Sequence, residues 1–304
     1  MTFCASCKQD IVENVPESAC CMSARLYGML LFARAFSVEK ITCASEHLPV
    51  VEHFSALLAD MGIPAKEIKR RKSAREYSAV ITSHDANERI FADYGYSGDE
   101  PSLRIISDNF LCERCAPNFV AGAFLTGGSV TRPSSGYHLE FTTHKKNLCD
   151  DFEMLLSQEG FEPKRTSRGY LKVLYFKSSG AIEDILAYMG AGNSALDLMN
   201  EKIYKDIVNS VNRRTNCENA NIDKTVNSAA ADIKCIELIE SHAGLHTLSD
   251  ELKELARLRK EQPELSMSEL GALIDPPLTK SGVSHRLRKL RRVAEDIRIE
   301  QNEY

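Results

Sequence analysis

Cys21-Met-Ser-Ala-Arg-Leu-Tyr-Gly28-Met-Leu-Leu31 and Cys115-Ala-Pro-Asn-Phe-Val-Ala-Gly122-Ala-Phe-Leu125 carry Cys, Gly and Leu at one constant offset. The correspondence continues downstream. Phe54, Leu57, Leu58 and Gly62-Ile63 match Phe152, Leu155, Leu156 and Gly160-Phe161, and Tyr94-Gly95 matches Met189-Gly190. Matches in the same order, drifting by only a few residues, identify a duplication with units over 20–95 and 115–190. Halves so related are expected to share an interface across a pseudo-twofold axis.

Each unit reads as αββαββα. A helix comes first, over 22–35 and 116–127. A short hairpin follows, with alternating, β-prone runs at 40–45 and 137–142. A second helix, over 48–61 and 146–159, stops at a Gly able to take the left-handed cap. A basic hairpin comes next, 66–71 turning into 76–82 and 162–166 turning through Arg168-Gly169 into 170–176. A closing helix ends near Gly95 or Gly190. Strands that alternate inward and outward predict antiparallel sheets with one face free.

The order of elements, and the first helix of each unit, resembles the LAGLIDADG homing-endonuclease fold. In that fold two such helices pack side by side at the pseudo-dyad. The resemblance assigns Gly28 and Gly122 to the close approach, against the alternative of two ordinary buried helices with incidental glycines. It also implies where catalysis would sit: an acid just before the last Gly of each motif helix, the pair holding a divalent metal at the scissile phosphates. Those positions are Ala33 and Gly127 here, and neither side chain ligates a metal, so no enzyme is expected. Arg34 occupies the final-Gly place of the first motif. The saddle of that fold lies along DNA. Lys66, Lys69, Arg70, Arg71, Lys72, Arg75, Lys164, Arg165, Arg168, Lys172 and Lys177 populate the corresponding strands and turns. Two readings stand for them, phosphate contacts or a solvated hairpin face. The candidate backbone contacts are Lys69, Arg70, Arg71, Lys164, Arg165 and Arg168.

The 304 residues are 43% hydrophobic and 27% charged, with 38 basic and 43 acidic side chains and a formal net charge of −5. That balance excludes a wholly basic nucleic-acid coat but not a local cationic patch. No apolar run approaches a membrane span, and Met1-Thr2-Phe3-Cys4 lacks the pattern of a secretion signal, so a cytoplasmic protein is expected. Ten cysteines fit free thiols in a reducing compartment. Cys4/Cys7 and Cys112/Cys115, with Cys20 and Cys21, have the residue types of a zinc site. Their separation exceeds the compact spacing of zinc ribbons, however, and Cys4/Cys7 falls in an expected frayed terminus. No metal and no cofactor are expected.

Residues 193–231 are polar and asparagine-rich. The spacing of Leu196, Leu198, Ile203, Ile207 and Val211 predicts a helix to about Arg214, with 216–221 a turn or cap and a second helix over 223–241. Arg213, Arg214 and Lys224 are read first as parts of a structured linker. From Ser249 a helix runs to Gln262-Pro263. Ser266-Met-Ser-Glu269 is a capping box opening a short helix, and Asp275-Pro-Pro277 forces a turn. Thr279 or Ser281 then caps a last helix. Its Val283, Leu287, Leu290, Ala294 and Ile297 form one buried stripe, and six basic residues between Lys280 and Arg292 are accompanied by no acid. This pattern predicts a helix-turn-helix.

Leu270-Gly-Ala-Leu-Ile-Asp-Pro-Pro-Leu-Thr-Lys-Ser-Gly-Val-Ser-His-Arg-Leu-Arg-Lys-Leu290 closely resembles the C-terminal signature of the WhiA family. Residues 209–225 resemble its linker motif, and Gly122-Ala-Phe-Leu-Thr-Gly-Gly-Ser129 its second motif helix. The resemblance implies a catalytically dead LAGLIDADG-like domain joined to a helix-turn-helix, in a bacterial DNA-binding regulator tied to sporulation, cell division and chromosome segregation.

The expected fold class is therefore α+β, a LAGLIDADG-like duplication with antiparallel saddle sheets followed by an all-α helix-turn-helix domain. The expected domains are 1–192, a helical linker 193–248, and 249–304. Lys280, Ser281, Ser284, His285 and Arg288 are the base-reading candidates, and Lys289, Arg291 and Arg292 the phosphate-contact candidates. Double-stranded DNA is the expected partner, RNA polymerase or another regulator a further candidate, and the location cytoplasmic and nucleoid-associated. A divergent homing endonuclease, or an N-terminal domain serving only protein contacts, are the rival readings.

Overall fold

The computed structural model describes residues 2–63, 69–71, 76–131 and 136–302. Contacts divide the chain into two units, Met1–Lys205 and Asp206–Tyr304.

The first unit opens with α1 (Phe3–Glu13). The first half follows as α2 (Ala19–Leu31), β1 (Ala35–Phe36), β2 (Ile41–Ser45), α3 (Leu48–Asp60), β3 (Lys69–Arg71), β4 (Glu76–Ile81) and α4 (His84–Asp93). The second half is α5 (Cys115–Gly127), β5 (Gly128–Val130), β6 (Leu139–Thr143), α6 (Lys146–Gln158), β7 (Lys164–Arg168), β8 (Leu171–Phe176) and α7 (Ser179–Tyr188). Both halves have the expected αββαββα order, and their antiparallel sheets share one strand order, β1-β2-β4-β3 and β5-β6-β8-β7. Pairing is equivalent as well: Cys43 faces Ala79 in one sheet and Phe141 faces Leu174 in the other. On β6, Leu139, Phe141 and Thr143 are buried while Glu140 and Thr142 are half-buried, the period-two pattern of a sheet with one covered face.

The covered faces meet α3 and α6 together with the inner pair α2 and α5, which pack closely on each other. A Cβ on Gly28 would overlap the Phe119 carbonyl, and one on Gly122 would overlap the Arg25 carbonyl. Each glycine therefore lets the other helix's backbone occupy the space of a side chain. Arg34 in the final-Gly place of the first motif does not disturb the pair, because α2 has already ended at Leu31.

The first residues correct the expectation of a frayed terminus. Thr2 caps α1 by accepting from the Ala5 N–H at 3.2 Å, and Cys7 and Ile11 are fully buried. The apolar face of α1 is short, and only packing on the duplicated core makes it ordered. Asp10 then accepts from both the backbone N–H and the hydroxyl of Ser194, at 2.7 and 2.6 Å, anchoring the start of α8 (Gly192–His242).

That helix is the second correction. The turn expected at 216–221 and the break before 223 do not exist, and one helix runs from Gly192 to His242. Asn is a weak helix former, but each costs only a few tenths of a kcal/mol, and no Gly or Pro lies between 193 and 242 to break the ladder.

In the second unit the end of α8 packs with α9 (Asp250–Glu261), α10 (Met267–Ala272) and α11 (Lys280–Asn302). The core holds Ile236, Ile239, Leu255, Leu270, Val283, Leu287, Leu290 and Ala294, with Ile297 packed against it. The expected stripe on α11 is thus the buried one. Ser266 and Glu269 form the expected capping box, and Thr279 caps α11 through the Gly282 N–H at 3.3 Å. Among the described residues no helix is long and apolar enough to cross a membrane.

The helix contact sets the first expected outcome. Gly122→Ala should destabilise the chain by about 1–3 kcal/mol, because the added methyl meets backbone that cannot rotate away. Gly180→Ala on α7, whose nearest such neighbour is Ser178 Oγ at 3.9 Å, should be neutral or stabilising by up to about 1 kcal/mol. Urea unfolding of both variants distinguishes them. A second outcome concerns acid. His53 on α3 is buried, its Nε2 has no hydrogen-bond partner, and burial beside Arg25 lowers its pKa from 6.5 to about 4. The unfolded chain takes up this proton near pH 6.5 and the folded chain only near 4. The stability linked to His53 is therefore complete above 6.5 and lost as pH falls to 4, by on the order of 3 kcal/mol. His53→Leu should remove that part of the pH dependence of the urea midpoint.

Candidate nucleic-acid interface

Helix α11 sorts its basic residues into two classes. Arg286 pairs with Glu251 at 3.2 Å. Arg291 donates through Nε to the Asp232 carboxylate at 2.7 Å and through Nη2 to Ser228 at 3.3 Å. Asp232 is 2% exposed, and the buried Arg259 guanidinium approaches its other oxygen at 3.9 Å. Arg259 also donates to the Leu265 carbonyl at 2.8 Å, so the two arginines and Asp232 tie α8, α9 and α11 into one frame. Lys280, Arg288, Lys289 and Arg292 are exposed, and among the described residues no acid pairs with them. Ser281 and His285 are exposed and Ser284 half-buried.

The start of α11 opens onto a groove of about 770 Å³. Lys280, Ser281, Ser284 and Arg288 line one wall, Ser266 and Ser268 the start of α10, and Asn221, Lys224, Thr225 and Ser228 the opposite side. The structure thus gathers the base-reading candidates, leaving His285 outside the groove lining. It also separates Arg291, whose charge is spent on Asp232, from Lys289 and Arg292. Sequence reasoning missed Asn221, Thr225, Ser228, Ser266 and Ser268. Only the linker motif at 209–225 pointed toward the first two, since periodicity says nothing about which turn of a long helix faces α11.

The saddle is different. Arg165 reaches Asp150 at 2.5 Å and Glu153 at 3.1 Å, and Arg168 makes a two-pronged contact to Glu140 at 3.0 and 2.7 Å. Glu140 is pulled below the usual carboxylate range against the cost of its burial, by hydrogen bonds from Arg168 and His138. Lys164 is exposed on β7. Lys69, Arg70 and Arg71 form β3, but their side chains lie outside the described residues, as do Lys66, Lys72 and Arg75.

At the ends of the inner helices, Ala33 and Gly127 line one pocket of about 330 Å³ with Thr126, Thr142 and Lys145. Among the described residues the only acid lining it is Glu76, held by Arg34 at 2.6 Å. Two ammonium groups sit at these helix ends. Lys145 donates to the Leu31 carbonyl of α2 at 2.9 Å, and the buried Lys8 donates to the Leu125 carbonyl of α5 at 3.0 Å. Burial lowers the pKa of both, that of Lys145 to about 8. Cations at helix C-termini complement the dipole and the orphan carbonyls. They also oppose a divalent metal at the same place.

Known proteins carry the same two-part organisation. The family model for the WhiA LAGLIDADG-like domain matches residues 116–208, and that for the WhiA C-terminal HTH domain matches 211–294. A probable cell division protein WhiA from Alkaliphilus metalliredigens is 32% identical over 97% of this chain and 98% of its own length. One from Carboxydothermus hydrogenoformans is 33% identical over 98% of both. The chain belongs to the WhiA family. The crystal structure of full-length DUF199/WhiA from Thermotoga maritima covers 97% of this chain and 99% of its own, at 26% identity and a TM-score of 0.61. The fold class expected from sequence, a LAGLIDADG-like domain with a helix-turn-helix, is therefore the fold of this chain. Ala33 and Gly127, the positions that the motif resemblance assigns to the acids, carry no carboxylate.

The two classes of arginine on α11 are separable by stability. Arg291→Ala removes the short partner of a buried carboxylate and should cost roughly 2–3 kcal/mol, the range for breaking a largely buried pair discounted for the solvent-facing side of Arg291. Arg288→Ala should stay within about 0.5 kcal/mol, as at an exposed site. Thermal or urea unfolding of the full chain provides the comparison.

Proposed function

We propose that this chain is a sequence-specific DNA-binding transcriptional regulator without nuclease activity, acting in cell division and the linked processes of sporulation and chromosome segregation. The observation that carries the reading is the groove at the start of α11, where Lys280 and Arg288, without an acid partner among the described residues, stand among serine hydroxyls and Lys224. A recognition helix reads base edges with its N-terminal part, and hydroxyls and cations around it hold phosphates. Lys280, Ser281, Ser284, His285 and Arg288 read bases in this proposal, and Lys289 and Arg292 contact phosphates. Arg291 keeps the frame rigid. The cell-division role is supported by the names of the relatives. A cytoplasmic, nucleoid-associated location follows from DNA as the partner, and RNA polymerase or another regulator is the protein partner a promoter-bound factor would meet.

The absence of cleavage is supported by two facts, the side chains of Ala33 and Gly127 and the ammonium groups of Lys8 and Lys145 at the same helix ends. The acid partners of Arg165 and Arg168 favour placing DNA affinity in the second unit, with the LAGLIDADG-like domain as a surface for protein contacts.

Binding titrations against a duplex selected from genomic fragments and against a random duplex, at several salt concentrations, test this. Lys289→Ala combined with Arg292→Ala should weaken both duplexes alike and flatten the log–log salt slope by about 1.8, two contacts' worth. Arg288→Ala should weaken the selected duplex preferentially, by about 1–3 kcal/mol if it reads a guanine. Arg165→Ala with Arg168→Ala should leave the slope unchanged. A slope that falls only in the saddle variant would move the DNA to the first unit. Plasmid cleavage by the full chain with Mg²⁺ or Mn²⁺ would restore the nuclease reading.

A further inference from the structure

Four thiols converge where the inner helices begin. Cys20 and Cys21 lie in the first turn of α2, Cys115 is the first residue of α5, and Cys112 precedes it by three. Their Sγ atoms all lie within 4.8 Å of one another. Cys112 is the hub, 3.7 Å from Cys20, 3.6 Å from Cys21 and 3.5 Å from Cys115. The thiols are unbridged. Cys4 and Cys7, the other C-x-x-C pair, are not part of the cluster.

We propose that Cys20, Cys21, Cys112 and Cys115 bind one Zn²⁺ ion in a closed tetrathiolate site that clasps α2 to α5.

Thiolates bind zinc at about 2.3 Å, so a regular tetrahedron has sulfur–sulfur edges of roughly 3.8 Å. The edges from Cys112 are within a few tenths of an ångström of that without any backbone movement. A polynuclear iron–sulfur cluster sits between its cysteines and holds them farther apart than a single ion does. The sequence separation that counted against such a site is cancelled by the duplication, which brings the starts of α2 and α5 together. The surroundings favour thiolates: both helices present their N-terminal ends here and neither has an acid in its first turn. Binding converts four thiols to thiolates and releases four protons, leaving a net charge of −2 on the centre. Arg25, one turn beyond Cys21 and in electrostatic contact with it, offsets part of it. Cys21 and Cys115 are buried, Cys20 is half-buried, and Cys112 is exposed, which gives the ion an entry path.

All four positions around the ion are filled by protein, so the site is structural. It lies at the opposite ends of the inner helices from Ala33 and Gly127, and uses soft sulfur where the nuclease fold uses hard oxygen. The duplicated halves would thus be held at one end by zinc and at the other by the Lys8 and Lys145 caps.

The test is the metal content of the full chain, purified in a non-thiol reductant without chelator and measured by mass spectrometry of the metals. The expected result is one zinc per chain, retained in Cys217→Ser and lost in Cys112→Ser and Cys20→Ser. Co²⁺ in place of zinc should give the visible absorption of a tetrahedral thiolate centre. Removing metal with a chelator should lower the melting temperature of the unmodified chain and leave that of Cys112→Ser unchanged. Cys112 is exposed, so that variant should fold, and the unmodified chain decides the question even if it does not. Metal-free protein with all four thiols titrating as free, a mass lowered by a pair of hydrogens as in a disulfide, iron in place of zinc, or zinc retained in Cys112→Ser would each overturn the proposal.

Discussion

The rest of the first unit depends on how closely α2 and α5 approach. Gly28 and Gly122 each accept a backbone carbonyl of the facing helix where a side chain would stand. That contact fixes the pseudo-twofold axis, and the axis fixes everything hung on it. Each sheet packs on the second helix of its own half, α3 or α6, as well as on the inner pair, and the duplication makes their strand orders and registers equivalent. A methyl group at either glycine would push the sheets apart as well as the helices. Interiors packed at crystal-like density have no slack to absorb such a shift.

The two ends of the pair have different chemistry. At the C-terminal ends, the orphan carbonyls and the negative end of each dipole face Lys8 and Lys145. The resemblance to LAGLIDADG nucleases assigns a metal to the equivalent place. Here neutral Ala33 and Gly127 and two ammonium groups make it cationic, which stabilises the helix ends and disfavours Mg²⁺. At the N-terminal ends the partial charge is reversed, and four thiols gather there. Electrostatics at helix termini thus suits ammonium groups at one end and would favour thiolates at the other.

In the second unit one carboxylate organises the scaffold. Asp232 on α8 holds Arg291 and faces Arg259, and so links the long helix to α11 and α9. A buried acid with only one good partner is costly, and it is tolerated here because each of the two arginines has a further acceptor, Ser228 or the Leu265 carbonyl. The consequence for function is selectivity among similar residues. Arg286 and Arg291 belong to the frame, while Lys280, Arg288, Lys289 and Arg292 face outward from a helix that cannot tilt freely. The groove walls come partly from α8, so α8 contributes to the site as well as to the core.

Local pattern and internal repetition by themselves determined a great deal. The duplication, the αββαββα order, the Ser266–Glu269 capping box and the buried stripe of α11 follow from periodicity, turn residues or self-similarity, while the close glycines and the vacant acid positions came from the resemblance to the LAGLIDADG fold. Boundaries moved by a few residues, as at α2, where expectation began at 22 and the helix begins at Ala19. What only the tertiary structure decided involves partners distant along the chain. The weakly amphipathic α1 is ordered because the core receives Cys7 and Ile11. The arginines of β7 meet Asp150, Glu153 and Glu140 across the fold. The four thiols meet because a duplicated helix pair aligns its own N-termini. None of these is encoded in spacing, since the free energy of each contact arises only when folding brings its two sides together.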